Sequence, residues 1–341
     1  MDAAQHLRLY NILIGSMKTQ AIYVAAELGL ADVLTNGPKN ISELASAVKA
    51  DTGALFRLLR ALCSLGLFSE RDGVYSLTPM GQALRQDVPG SLRPFALLLG
   101  GAAWWRAWGA LAHAVRTGAG AFDATHNDGY FEFLMQHPDE QRRFHDFMVS
   151  ICQMNAAAIV GAYPFANFRK IVDIGAGGGH LLGSILSNAP QARGVLFDMP
   201  GTVPDKQVLD PALRDRIDIV GGDFFREVPA GGDAYVLQQI LHDWDDARSL
   251  QIIKNCYSAM AADGKLIVID AVIEPGNQPS FNKFTDLHML VMSNGGKERT
   301  AAEFKTLFQQ AGFTLTRIVP TSTAFAIIEG EKQRSADSVD A

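Results

Sequence analysis

The apolar positions change rhythm along the chain. Over residues 1–34, Leu7, Ile12, Ile14, Ile22, Val24, Leu28, Leu30 and Leu34 recur among small and polar residues, which predicts one or two amphipathic helices that pack. Asn40-Ile41-Ser42-Glu43 sets a capping side chain three residues before an acid and opens a short helix. Asp51 starts another, with Leu55, Leu58, Leu59 and Leu62 on one stripe and Arg57 and Arg60 off it. Leu67-Phe68, a turn at Asp72-Gly73 and Val74-Tyr75-Ser76-Leu77 then predict a β-hairpin. From Pro94 to Val160 the pattern is helical and aromatic (Trp104, Trp105, Trp108, Phe122, Tyr130, Phe131, Phe133, Phe144, Phe147), punctuated by Gly129 and Pro138. Large aromatics at helical spacing are mostly core, leaving a few to line a pocket for a flat aromatic molecule.

After residue 165 short apolar runs alternate with helical segments. Strands are predicted at 170–174, 194–198, 216–220, 234–238, 265–271, 313–318 and 323–328, with helices between the early ones. The fold class is therefore α/β, a mostly parallel seven-stranded sheet with helices on both faces, preceded by a mainly helical region. We divide the chain at 160/161: residues 1–160 are mainly helical, and 161–341 carry the sheet. The order helix, helix, hairpin within 41–80 is that of a winged helix.

Composition narrows the function classes. The 341 residues suffice for two domains, and 48% hydrophobic with 19% charged residues describes an ordinary globular protein. A winged helix invites DNA binding, but over 41–80 Lys49, Arg57, Arg60 and Arg71 are balanced by Glu43, Asp51, Glu70 and Asp72. With a net charge of -6 this disfavours nucleic acid as a partner and favours a packing or dimerisation module. Cys63, Cys152 and Cys256 lie far apart and suit a reducing cytosol, and the 8 histidines show no metal-ligand spacing. The start Met1-Asp2-Ala3-Ala4-Gln5-His6 lacks a signal-peptide pattern, and the run Phe95 to Trp105 falls short of the roughly 20 residues of a membrane helix. A cytoplasmic protein that does not enter membranes is expected, with no metal.

The chemistry gathers at the strand ends, where ligands bind in parallel sheets. Arg169-Lys170-Ile171-Val172-Asp173-Ile174-Gly175-Ala176-Gly177-Gly178-Gly179-His180 runs from a buried strand through a glycine turn into a helix, a cradle for an adenosine-containing cofactor. The dinucleotide spacing G-x-G-x-x-G fails at His180, whereas D-x-G-x-G-x-G is met by Asp173, Gly175, Gly177 and Gly179. Asp198, before Met199-Pro200, is suited to ribose hydroxyls, and Gly222-Asp223-Phe224-Phe225 to an adenine ring and its amino group. His242 lies between the strand Ala234–Gln238 and a helix capped by Asp245 or Asp246 and ending at Asp263-Gly264. An imidazole at that mouth can act as a general base, with Asp270 and Glu298 available to fix its tautomer.

These stretches, together with Leu241-His242-Asp243-Trp244, Gly264-Lys265-Leu266-Ile267-Val268-Ile269-Asp270 and Gly296-Lys297-Glu298-Arg299-Thr300, resemble the S-adenosylmethionine-dependent small-molecule O-methyltransferases typified by the plant caffeic acid and chalcone enzymes and by hydroxyindole O-methyltransferase. Leu58-Leu59-Arg60-Ala61-Leu62 through Tyr75-Ser76-Leu77-Thr78-Pro79 resembles that family's winged-helix dimerisation domain. The resemblance implies a Rossmann-like catalytic domain, a homodimer, S-adenosyl-L-methionine as cofactor and a small aromatic acceptor, methylated at a hydroxyl oxygen of phenolic type. It implies cofactor contacts at Asp173, Gly175, Gly177, Asp198, Met199, Asp223, Phe224 and Gln238, a base at His242 flanked by Asp270 and Glu298, and substrate contacts at Phe144, Met148 and Asn294. Gln238 replaces the lysine usual in the plant enzymes and Gly178 a threonine, as in a bacterial member. Methylation of a ring nitrogen, as on a phenazine, a cofactor-sensing DNA-binding regulator and an NAD-linked dehydrogenase are the alternatives.

Overall fold

The computed structural model describes residues 2–333. The described residues form two compact units, one running to Arg106 and including Leu134–Met154, the other comprising Ala107–Phe133 and everything from Asn155. The chain therefore passes between them at three places.

The first unit follows its capping signals. Asn40 and Glu43 form a reciprocal capping box at the helix Ile41–Val48, and the Asp51 side chain caps Thr52–Ser64 by accepting from the Ala54 N–H at 2.8 Å. Leu55, Leu59 and Leu62 are buried with Leu30, Leu44, Phe68 and Tyr75 in one core, with Leu58 packed at its edge. Phe68–Arg71 and Val74–Leu77 pair antiparallel around Asp72 and Gly73, both at positive φ, as a two-residue hairpin turn requires. A third strand, Lys39–Asn40, pairs with Val74 and Tyr75. The helix Ala3–Leu13 departs from expectation because it buries no residue. Leu9, Tyr10, Ile12 and Leu13 are all more than half exposed, since none of the described residues covers them.

In the second unit seven strands form one sheet: β1 (Lys170–Ile174), β2 (Arg193–Asp198), β3 (Ile217–Gly221), β4 (Ala234–Gln238), β5 (Lys265–Asp270), β6 (Phe313–Pro320) and β7 (Ala326–Lys332). Their spatial order is β6-β7-β5-β4-β1-β2-β3. The first five are parallel; β7 joins β5 antiparallel and β6 returns beside it. The strand order reverses between β1 and β4, so the carboxyl ends of those two strands flank the topological switch point where ligands of open α/β sheets bind. Val172, Ile174, Tyr235, Leu237 and Val268 pack against Ile252, Ile253, Phe304 and Phe308 from the helices Asp246–Ala259 and Ala301–Gln310. Each such fully buried side chain contributes about 1.5–3 kcal/mol.

Three expectations are corrected. The connection from β2 to β3 contains no α-helix, only 3-10 turns at Lys206–Val208 and Arg214–Arg216, because Pro200, Gly201, Pro204 and Pro211 interrupt it. The last strand starts at Ala326 rather than near 323, since Thr321 donates to the Phe325 carbonyl at 2.6 Å and closes a turn over those residues. The helix capped by Asp245 stops at Ala259, short of Asp263-Gly264, where Met260 turns extended.

Candidate active site

The glycine turn is built on left-handed backbone. Gly175, Gly177 and Gly179 have φ of +69°, +53° and +75°, a conformation that L side chains adopt at a cost. A β-carbon on Gly175 would fall 2.4 Å from Ile240 Cδ1, and one on Gly179 would fall 2.5 Å from Leu196 Cδ1; above Gly177 there is open space. The first and third glycines thus allow close packing underneath, and the second leaves backbone exposed to a ligand.

Two acids stand at the adjoining strand tips. Asp198 ends β2, buried, and its two carboxylate oxygens accept from the Gly177 N–H at 2.8 Å and the Met199 N–H at 2.7 Å. Burial raises its pKa, and the two backbone donors oppose the rise. Asp173, buried on β1, accepts from the Leu182 backbone and is pushed up to about 8 by burial and then by the charge of Asp198. Phe224, half-buried beside Gly175, meets Phe225 edge-on at 4.8 Å. Asp223 is exposed, and its carboxylate accepts from the Phe225 N–H. Gln238 is the last residue of β4, opposite Ile269. Two carboxylates held at raised proton affinity beside an open backbone cradle and an aromatic face form a donor set that fits a cationic, hydroxyl-bearing adenosyl group.

His242 sits on the 3-10 turn Leu241–Asp243 that follows β4, with a left-handed Gln239 (φ +53°) making the exit from the strand. Its Nδ1 lies 2.9 Å from Glu298 Oε1 and 4.0 Å from Asp270 Oδ1, while Nε2 is 3.6 Å from Asp243 Oδ1, too long for a hydrogen bond. Arg299–Thr300 pairs parallel with Val272–Ile273, just beyond the end of β5, and that short ladder draws Glu298 and Asp270 to one ring. Asp286 helps by accepting from the Glu298 N–H at 3.0 Å.

The ring is buried, which by itself disfavours its charge, but Asp243, Glu298 and Asp270 outweigh that and raise it to about 10. Burial in turn pushes Asp270 up to about 8 and Asp243 up to about 6, each moderated by the imidazolium. Among the described residues both Asp270 oxygens and Glu298 Oε2 are buried without a hydrogen-bond partner. Such orphaned acceptors are costly in a structural site and fitting in one that moves protons.

All residues assigned to the cofactor and the base fall in the second unit. Asn294 does too; its amide donates to Asp123, and its oxygen accepts from the Gly120 N–H at 2.7 Å. Phe144 and Met148 lie one turn apart on the helix Pro138–Ala162, in its part within the first unit. Asp243, Trp244, His288 and Arg299 went unassigned. Trp244 packs edge-on to Phe225 at 4.8 Å and stacks on Phe131 at 6.0 Å. His288 accepts from the Trp108 indole N–H at 3.1 Å, and burial together with the charge of His242 pushes it down to about 3, so it stays neutral. Asp243, Trp244 and Arg299 are neighbours of His242 and Glu298 within the quoted motifs, which was the available signal; His288 had none.

Comparison with known proteins places these features. An O-methyltransferase domain matches residues 108–314 and an O-methyltransferase dimerisation domain matches 10–87. Phenazine O-methyltransferase PhzM of Lysobacter antibioticus is 44% identical over 324 residues, 94% of each chain. The crystal structure of LaPhzM superposes with a TM-score of 0.92 at 43% identity, over 96% of this chain and 99% of that one. Human N-acetylserotonin methyltransferase, crystallised with S-adenosylmethionine, superposes with a TM-score of 0.90 at 26% identity, over 98% of this chain and 99% of that one. The chain belongs to the S-adenosylmethionine-dependent O-methyltransferases, carrying both their catalytic and their dimerisation domains.

Proposed function

We propose that this methyltransferase acts on a hydroxyl oxygen of a small aromatic molecule, with His242 as the general base and Glu298 and Asp270 flanking its ring. The observation that carries the reading is the 2.9 Å contact of His242 Nδ1 with the buried Glu298 at the carboxyl end of β4, beside the glycine turn of β1. The relatives' named substrates, a phenazine and N-acetylserotonin, are aromatic and support the acceptor class.

When bound, S-adenosylmethionine supplies a methyl group on a positively charged sulfur, open to attack by oxygen. The residues that would hold it are Asp173, Gly175 and Gly177 as the floor, Asp198 for hydroxyls, Asp223 and Phe224 at a flat ring, with Met199 alongside and Gln238 as a neutral contact. Phe144, Met148 and Asn294 are assigned to the acceptor.

Glu298 holds the Nδ1 proton, so Nε2 is the nitrogen that accepts. An imidazole raised to about 10 matches a phenol whose pKa is also about 10, and transfer between them is nearly thermoneutral. An ordinary histidine near 6.5 would make the same step uphill by about 5 kcal/mol. The carboxylates thus lend His242 the proton affinity that the reaction needs, and Asp270 adds a further negative charge to steady the imidazolium once it is itself deprotonated, above about pH 8.

We further propose a cytoplasmic homodimer that makes no use of nucleic acid. The dimerisation-domain match and the uncovered face of Ala3–Leu13 support the dimer. Among the described residues no helix is long and apolar enough to cross a membrane.

The test is turnover of S-adenosylmethionine with a panel of hydroxylated aromatics, hydroxyphenazines included, with the methylated atom read by NMR. Product methylated on oxygen supports the reading, and H242A should lose about 10²–10⁴-fold in kcat while S-adenosylhomocysteine binds as before. Methylation on ring nitrogen alone, or a fully active H242A, would overturn the acceptor atom or the base respectively.

A further inference from the structure

Three successive residues, Lys297, Glu298 and Arg299, grip the histidine turn in three ways. The Lys297 N–H donates to the His242 carbonyl at 2.9 Å, and Glu298 takes the ring. Arg299, where the short strand Arg299–Thr300 begins, reaches the backbone on both sides of the histidine. Its Nη1 donates to the Leu241 carbonyl at 2.7 Å and its Nη2 to the Trp244 carbonyl at 2.9 Å. The rest of the fork is taken up by Ser249 Oγ at 3.1 Å and by Asp246 Oδ1, which receives Nε at 3.0 Å and Nη2 at 2.9 Å. Ser249, wholly buried, has its one hydroxyl proton within reach of the same two carbonyls, at 3.2 and 3.3 Å.

We infer that Arg299 is a positioning residue for His242, holding the turn 241–244 so that Nδ1 meets Glu298 and Nε2 is left for the acceptor hydroxyl. The inference rests on the reading of His242 as the base. Arg299 is only 1% exposed; among the described residues the carboxylate it hydrogen-bonds, Asp246, has a side chain that is 58% exposed, while the buried Asp270 feels its charge without a hydrogen bond. A cation buried so fully, with three of its five hydrogen bonds going to neutral groups of the histidine turn and its helix, is poor design for stability alone. It makes sense where a turn entered through left-handed Gln239 must be kept in register to a fraction of an ångström. Lysine could not substitute, because one nitrogen cannot bridge two carbonyls with the planar geometry of a guanidinium.

The test uses the full chain and three readouts: S-adenosylhomocysteine binding by calorimetry, kcat against KM, and the downfield imidazole proton resonance of His242 Nδ1–H in protein labelled with ¹⁵N-histidine, assigned by its loss in H242A. R299K should bind S-adenosylhomocysteine within twofold of the parent, because the cofactor cradle lies on other strands. Its kcat should fall about 30- to 300-fold with KM within threefold, and the Nδ1–H resonance should vanish or broaden. D246N keeps the guanidinium and its carbonyl contacts but loosens the fork; it should lose threefold to tenfold in kcat with a shifted resonance, and it decides the matter if R299K does not fold. A folded R299K with the parent's resonance, whatever its rate, would overturn the inference, as would a D246N indistinguishable from the parent. The resonance reports on the clamp even if H242A proves active, so failure of the base assignment and failure of the clamp remain separable.

Discussion

Replacing Glu298 by glutamine removes one negative charge from the histidine ring while keeping its shape and a hydrogen-bond acceptor. In the intact site the imidazole stands at about 10 against an ordinary 6.5, a difference of about 5 kcal/mol supplied by Asp243, Glu298 and Asp270 against the cost of burial. Glu298 is the only one of the three within hydrogen-bond distance, at 2.9 Å. Losing its charge should lower the imidazole by about 1–2 pH units, and exchanging a charge-assisted for a neutral hydrogen bond weakens the hold by about 1–2 kcal/mol. Because His242 must be neutral to accept a proton, kcat/KM for a weakly acidic acceptor should rise tenfold per pH unit and level off near pH 10. In E298Q the plateau should begin between about pH 8 and 9 and lie about 10- to 100-fold lower. The gap should narrow toward neutral pH, where less of the variant's imidazole is protonated. Initial rates of S-adenosylhomocysteine release from pH 6 to 10.5, with one acceptor for both proteins, cancel the acceptor's own ionisation. Coincident profiles, or a plateau displaced to higher pH, would refute the claim that Glu298 raises the proton affinity of His242.

Gly175→Ala should cost more than Gly177→Ala in thermal stability, by about 1 kcal/mol or more, because both strain a positive φ but only the first drives a methyl into Ile240; melting temperatures decide it, and equal losses would mean the packing under Gly175 yields. Glu329, buried on β7, accepts from Thr316, Tyr163, Arg317 and Lys265, and despite burial these partners hold it down at about 2. A depressed carboxyl stabilises the fold above its unfolded pKa near 4.3 and ceases to as pH falls toward 2, so E329Q should melt lower at pH 7 and lose that part of the acid dependence. Replacing Ile12 and Leu13 together by Asp should leave the fold of each chain intact by circular dichroism, since both are more than 60% exposed within it, and yield monomers by analytical ultracentrifugation. A persistent dimer would place the contact elsewhere.

Much of this protein is written in local signals. Capping pairs such as Asn40 with Glu43, the Asp72-Gly73 turn and the β-branched runs of β1 to β5 act over a few residues, so the winged-helix elements and the parallel strands follow from sequence alone. The glycine spacing after Asp173 and the placement of His242 past β4 were likewise legible, because a strand end in a parallel sheet is a ligand site whatever the rest of the chain does. What lay between β2 and β3 was not, since helical periodicity there yields to proline. The uncovered face of Ala3–Leu13 was also hidden: an amphipathic pattern states that a helix has a side to bury, not that its own chain supplies the cover. The tertiary structure alone decided the electrostatics of the site. Asp270 and Glu298 join the neighbouring Asp243 around one imidazole because strand pairing of Arg299–Thr300 with Val272–Ile273 brings together residues nearly thirty positions apart. Their mutual burial, which no composition or spacing encodes, is what moves the histidine from a neutral-pH switch to a strong base, because charges removed from water act on each other at many times their strength in solvent.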